Sequence, residues 1–320
     1  MPLSTTPHPR VAICVCTHSR SDVLTRLLGM IEQIDLKHYD PAQVEMIVID
    51  NRPNAETRGI CEQAGPRLPI NLHYSPEPTP GITYARNHAV AVALERGADL
   101  LAFIDDDDQP RSDWLAQLLD RQAATGADLV FGTWILDENM PDWARKTGIF
   151  RSPSKSKQEK KGARYGLPDY ASTCNLLVGR AILERVGEVG PIFSHDFCNS
   201  GGEDKDFFIR AHSLGANLAT AEGSVIHRRH EAERYTAKGL IKRGFKNGCS
   251  GVNMARHHGD GKRLFKIQMI ALAKLFISLI LLPFSIFSKG FFMHSLYRMA
   301  KSCGTIYTTV TGRSFKYYSR

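Results

Sequence analysis

Short apolar, β-branched runs alternate with stretches of helical spacing along this chain, at the intervals that parallel strands joined by crossover helices require. Val11–Cys16, Val44–Ile49, Ile70–Tyr74, Leu100–Ile104 and Asp128–Leu136 read as strands. Asp22–Ile34, Asn54–Ala64, Gly81–Arg96 and Trp114–Thr125 read as helices, the first with apolar residues at Val23, Leu27, Leu28 and Ile31. The pattern predicts an α/β fold built on a mainly parallel, doubly wound sheet. Farther on, Ser172–Val178 and Asn217–Ile226 read as strands, and Arg180–Val186 and Glu203–Leu214 as helices. Ser152–Arg164 is basic and lacks large apolar residues, so it reads as a mobile loop, either a lid or a surface insertion. At 320 residues the chain has room for one large domain with an appendage, or for two domains.

The fourth predicted strand runs directly into Asp105, Asp106, Asp107 and Asp108. Like charges this close raise one another's pKa unless a cation or hydrogen bonds compensate. Ligands of open α/β sheets bind beyond the carboxyl ends of the strands. The cluster therefore points to a divalent cation, and a cation to phosphate; a solvated turn capping the next helix is the plainer reading. Neither G-x-x-x-x-G-K-[ST] nor a G-x-G-x-x-G after the first strand occurs, which argues against a P-loop enzyme and a dinucleotide dehydrogenase. Instead the first strand ends in Thr17, His18, Ser19 and Arg20, whose polar groups can hold a base or phosphate. Asp50 closes the second strand, where a carboxylate accepts from a ribose or pyrimidine N–H, or caps a turn.

Arg86 and Asn87 sit in a helix otherwise filled with Ala and Val. Arg86 can pair with the acidic cluster or a diphosphate, or form a surface salt bridge. Gly201-Gly202 precede Glu203 and Asp204, which open a helix as dipole caps or as a rigidly placed general base. His227 ends the last strand and is either a structural imidazole or the ligand completing an Asp-based cation site.

The formal charge of +8 is unevenly spread, with eleven Lys or Arg residues between Arg228 and Lys266. Such a block suits nucleic acid, an anionic membrane surface or an acidic substrate. Only Tyr235, Phe245 and Phe265 are interleaved with it, which argues against nucleic acid. The seven cysteines show no zinc spacing and read as reduced cytosolic thiols. Met1–Arg10 lacks an apolar core, so no secretory signal is expected. Ile267–Phe287 holds one charge, Lys274, in twenty-one residues. That length spans a bilayer; Lys274 and Pro283 also fit a helix lying in the interface, and a buried helix pair is the third reading. Membrane attachment, favoured by the basic stretch before it, is the reading adopted. The expected division is therefore 1–261, with halves at about 1–136 and 137–261, and 262–320.

Taken in order over about Val11 to Gly248, these segments resemble the family 2 glycosyltransferases, which have the GT-A nucleotide-diphospho-sugar fold. Val11–Thr17 resembles the family's opening strand, Val48-Ile49-Asp50 its uracil-contacting segment, and Gly81–Asn87 its G-x-x-x-A-R-N element. Phe103–Asp108 resembles its D-x-D signature and Gly202-Glu203-Asp204 its catalytic-base motif. The CVCTHSR opening and IDDDDQP variant are similar to the subgroup of succinoglycan-type glucosyltransferases. The processive Q-x-x-R-W motif is missing, since Tyr235 follows Arg234, so the resemblance implies transfer of a single sugar.

It implies a nucleotide-sugar site of Thr17, His18, Arg20, Asp50, Arg86, Asn87, Asp105 and Asp106, with Mn²⁺ or Mg²⁺ on Asp105, Asp107 and His227. Asp106 or Asp108 can replace a named ligand. Asp204, ahead of Glu203, would deprotonate the acceptor hydroxyl and give inversion. The implied donor is a UDP-sugar, and the implied acceptor a lipid-linked or other oligosaccharide at the cytoplasmic face of the inner membrane, in cell-surface polysaccharide synthesis. A sugar-phosphate nucleotidylyltransferase and a non-enzymatic basic membrane or nucleic-acid-binding protein are the alternatives.

Overall fold

The computed structural model describes residues 9–136, 140–150, 167, 171–198, 200–228 and 232–313, so the basic segment Ser152–Arg164 lies outside the described residues. In chain order the elements are β1 (Val11–Thr17), α1 (Ser21–Ile31), β2 (Val44–Asp50), α2 (Ala55–Ala64), β3 (Asn71–Pro76) and α3 (Ile82–Glu95). Then come β4 (Leu100–Ile104), β5 (Asp108–Pro110), α4 (Trp114–Thr125), β6 (Leu129–Leu136), α5 (Asp142–Thr147), β7 (Asn175–Gly179) and α6 (Arg180–Glu188). The chain continues with α7 (Glu203–Ser213), β8 (Leu218–Arg228), α8 (Ala237–His257), α9 (Gly261–Leu281) and α10 (Lys289–Thr311). Two compact units result. One takes in residues up to Ile135, those between 152 and 195 and those between 203 and 229; the other holds 136–151, 196–202 and everything from 230 onward.

The first unit is organised by an eight-stranded sheet of order β3-β2-β1-β4-β7-β6-β8-β5. The strands β3, β2, β1 and β4 are parallel, as the alternation predicts. Beyond β4 the sheet turns mixed, because β7 runs antiparallel to β4 and β6, and β5 antiparallel to β8. An apolar strand covered on both faces reads alike in either direction, so composition does not reveal this return. Leu24, Leu27, Leu28 and Ile31 of α1 bury one stripe against Val11, Ile13 and Val15. Each such side chain contributes about 1.5–3 kcal/mol of burial, which fixes the helix on that face. The alternate residues of β1 and β2 face α3, whose Ala85, Ala89 and Ala93 are fully buried. Their small side chains let the helix lie close and bring Arg86 toward the sheet's carboxyl ends.

A buried amide ties the antiparallel half together. Asn175 on β7 donates to Thr133 O at 3.0 Å and Ser224 O at 3.1 Å, and Ser224 Oγ donates back at 3.1 Å. Gly132 leaves the space, since a Cβ there would overlap the Asn175 amide.

In the second unit α8 and α10 pack along each other. Gly244 and Gly248 on one and Gly304 on the other permit the approach, because a Cβ at each would strike the partner helix's backbone. Arg256 caps the carboxyl end of α10, donating to Thr308 O at 2.9 Å and Thr309 O at 3.0 Å. The compact units group α8 with α9 and α10. The apolar stretch expected over Ile267–Phe287 begins earlier, with Asp260 accepting from Arg263 N at 2.9 Å, and stops at Leu281 ahead of Pro283. At a mean hydropathy of 2.0, α9 is long and apolar enough to cross a membrane, and only 11% of its apolar window is buried. Ala271 and Ser278 are its buried residues, whereas Phe265, Met269, Leu272, Phe276 and Ile280 are exposed. The buried-helix reading of this segment therefore fails.

Candidate active site

The carboxyl ends of β1 and β4, the first turns of α3, the start of α7 and the end of β8 bring their polar residues to one place in the first unit. Burial alternates through the acidic run, with Asp106 and Asp108 inside and Asp105 and Asp107 half-exposed. Asp106 accepts from Thr17 Oγ1 at 2.8 Å and from Arg20 Nη1 at 3.2 Å, and the same Arg20 nitrogen reaches Asp107 Oδ2 at 3.1 Å. Burial pushes the Asp106 carboxyl up to about 6, against the pull of Arg20 and Thr17.

Oxygens of Asp105, Asp107 and Asp108 lie within 4.8 Å of one another. Asp108 is 2% exposed, and its Oδ2 has no hydrogen-bond partner among the described residues. Three clustered carboxylates, one with an unsatisfied buried oxygen, form a donor set that fits a hard divalent cation. Burial raises the Asp108 pKa well above the usual carboxylate range, against the opposing charge of Arg228.

His227, expected as a ligand, is not part of this group. It pairs with Gln109 across the ladder and is exposed, while Arg228, next along the strand, pairs with Asp108. Successive strand residues face opposite ways, so Arg228 turns to the acids and His227 away from them. Arg228 donates to Asp108 Oδ1 at 3.3 Å and Asp105 Oδ2 at 3.2 Å, over the Trp134 ring at 5.5 Å.

Arg86 joins the acidic cluster to α7. Its Nη1 donates to Glu203 Oε1 at 2.7 Å and its Nη2 to Asp105 Oδ1 at 3.5 Å. Although burial opposes its charge, Glu203 and Asp105 raise its pKa further. The three acids in the first turn of α7 then have separate fates. Glu203 is held by Arg86, and Asp206 by Arg210 at 2.8 and 2.9 Å. Asp204 is half-buried and accepts from Lys205 N at 2.7 Å. Burial, then the neighbouring Glu203 charge, pushes Asp204 up to about 6, against Arg86. A carboxylate tuned toward neutrality is suited to accept a proton.

Two of the expected ligand residues also make internal hydrogen bonds. Asn87 donates to Phe193 O and accepts from Phe193 N, both at 2.9 Å, so its amide staples the segment ahead of α7. Asp50 is wholly buried and accepts from Arg52 N, Asn54 N and Tyr74 Oη at 3.0, 3.3 and 3.1 Å. It caps the turn after β2, the other reading its position allowed. His18 remains exposed beside Ser19, whose φ of 51° makes the tight turn after β1.

The model of the family "Glycosyl transferase family 2" matches residues 12–187. The succinoglycan biosynthesis protein ExoM of Rhizobium meliloti is 31% identical over 257 residues, covering 79% of this chain and 77% of ExoM. The glycosyltransferase AglE of Haloferax volcanii is 25% identical over 213 residues, 67% of this chain and 64% of AglE. Among solved structures, the mannosyltransferase PcManGT of Pyrobaculum calidifontis, in complex with GDP-Man and Mn²⁺, is similar with a TM-score of 0.61 and 17% identity, over 94% of this chain and 88% of that one. S. aureus TarS 1–349 in complex with UDP-GlcNAc gives 0.55 and 13%, over 96% and 93%. These likenesses establish the GT-A fold.

Proposed function

The chain belongs to glycosyl transferase family 2, and from that premise we propose that it transfers one sugar, with inversion, from a UDP-sugar to a saccharide acceptor. One observation carries the reading. Arg86 reaches both Glu203 and Asp105, so Asp204, adjacent in sequence to Glu203, and the acidic end of β4 belong to a single site. This supports a base for the acceptor and carboxylates for a diphosphate-bound cation acting together in one displacement.

Asp105, Asp107 and Asp108 would hold Mn²⁺ or Mg²⁺, which when bound supplies charge neutralisation for the departing nucleoside diphosphate. Thr17 and Arg20 fix Asp106 and Asp107 and so set the shape of the cluster. Asp204 takes the proton of the acceptor hydroxyl. The acceptor hydroxyl's oxygen bonds to the anomeric carbon as the bond to the diphosphate breaks on the opposite face, which inverts that centre. The name of ExoM supports an acceptor in polysaccharide biosynthesis, and the UDP-GlcNAc in TarS supports a uridine donor, whereas PcManGT carries GDP-Man.

A screen of UDP-sugars with the purified chain, following UDP release, tests the reaction. Release is expected with Mn²⁺ or Mg²⁺ and absent in excess EDTA, and Asp107→Ala is expected to weaken cation-linked UDP binding about tenfold or more. Equally fast turnover in excess EDTA would refute the cation reading.

We also place the chain on the inner membrane surface, facing the cytoplasm, with a lipid-linked acceptor. The exposed apolar residues of α9 and the basic residues Lys262, Arg263 and Lys266 in its first two turns support this. Cell membranes are expected to retain the chain through a 1 M salt wash. Complete release by salt would mean that charge alone holds it there.

A further inference from the structure

Arg228 has no part in the reaction described so far, yet it occupies the middle of the acidic cluster. The antiparallel register sets it opposite Asp108. Its Nε donates to Asp108 Oδ1 at 3.3 Å and its Nη2 to Asp105 Oδ2 at 3.2 Å. These are two of the three carboxylates whose oxygens group within 4.8 Å. One guanidinium thus spans two acids that a cation would share, and the Trp134 ring 5.5 Å away braces it. It serves the buried Asp108 incompletely, because Oδ2 has no hydrogen-bond partner among the described residues.

A guanidinium keeps its charge and presents a rigid fork that fits carboxylates and phosphates alike. A divalent ion on Asp105 and Asp108 would compete for the same oxygens and repel it. We propose that Arg228 is a resident counter-cation: it holds the carboxylates together in the cation-free protein and transfers its fork to the donor's diphosphate when the divalent cation enters. This rests on the acidic cluster being the cation site. It makes cation and nucleotide binding mutually reinforcing, since each relieves Arg228 of a competing partner.

The test measures Mn²⁺ binding to the full chain by the EPR signal of free Mn²⁺, and UDP binding at saturating Mn²⁺ by calorimetry. In Arg228→Met, Mn²⁺ alone is expected to bind about tenfold tighter and UDP about tenfold weaker, within the usual range of such couplings. A merely structural arginine would weaken both together. Arg228→Lys keeps the charge without the fork, so its UDP affinity should fall while its Mn²⁺ affinity stays near wild type; it carries the test if Arg228→Met fails to fold. Unchanged or weaker Mn²⁺ binding in Arg228→Met, or undiminished UDP binding in both variants, overturns the proposal. If the wild type itself binds no Mn²⁺, or Asp107→Ala binds it as well, the cation reading falls and this proposal with it. Wild-type binding that depends on Asp107 without tightening in Arg228→Met removes the role of Arg228 alone.

Discussion

Asp204→Asn is expected to lower turnover by about 10²–10⁴-fold, the usual worth of a positioned general base, while cation-dependent UDP affinity stays unchanged. The amide keeps the size of the carboxylate, and its oxygen can still accept from Lys205 N, as Asp204 Oδ1 does at 2.7 Å. What it loses is the capacity to take a proton. Glu203 cannot substitute, because Arg86 holds its Oε1 at 2.7 Å and the side chain is buried. The same assignment fixes a pH profile. Asp204 is pushed up to about 6 by burial and by Glu203, and a base works only when deprotonated. The kcat/KM of the wild type should therefore hold above about pH 6 and fall tenfold per unit below it, where an ordinary aspartate would hold to about pH 4. Asp106 is also raised to about 6, so Asp106→Asn is the control; if Asp204 sets the profile, the acid limb persists there. Near-normal turnover in Asp204→Asn would show that another group deprotonates the acceptor.

The parts of this site that sequence makes legible are those in which residue type and strand end together define the chemistry. Four carboxylates after Leu100–Ile104 mark a charged strand end in any fold of this class. Their individual uses depend on pairings that composition does not carry. Asp108 starts a three-residue strand against β8, and that register selects Arg228 over His227. The alternation of β8 held the signal, but its phase is fixed only once a partner is known. Asn87 shows a contact of another kind that composition does not carry. Its place beside Arg86 suggests a ligand contact; the two residues diverge by about 100° around the helix, and the amide also meets the Phe193 backbone. The pairing of α8 with α10 is hard to read for a third reason: Gly244, Gly248 and Gly304 make part of the contact by close backbone approach, which an apolar periodicity does not register.

Arg86→Met is expected to cost about 3–5 kcal/mol of stability, as removal of one partner from a buried ion pair does. Arg86 is 8% exposed and Glu203 7%. The guanidinium meets Glu203 at 2.7 Å and Asp105 at 3.5 Å, with the Phe193 ring 5.7 Å away. Methionine keeps much of the apolar stem against Phe193 but supplies neither charge nor donors. Glu203 would then be a buried carboxylate with both oxygens unpaired, since Oε2 already has no partner among the described residues. The deficit belongs to the stranded acid rather than to the lost arginine, so the double variant Arg86→Met/Glu203→Gln should recover much of it, and the two substitutions should be strongly non-additive. Urea unfolding of the two single variants and the double variant measures this cycle. A loss below about 1 kcal/mol in Arg86→Met, the range of exposed pairs, would mean that water reaches Glu203 and that Arg86 does not couple α7 to the acidic cluster. Where the coupling holds, the double variant gives a further separation: it restores folding without a cation facing Asp105, so its stability should recover while its transfer rate does not.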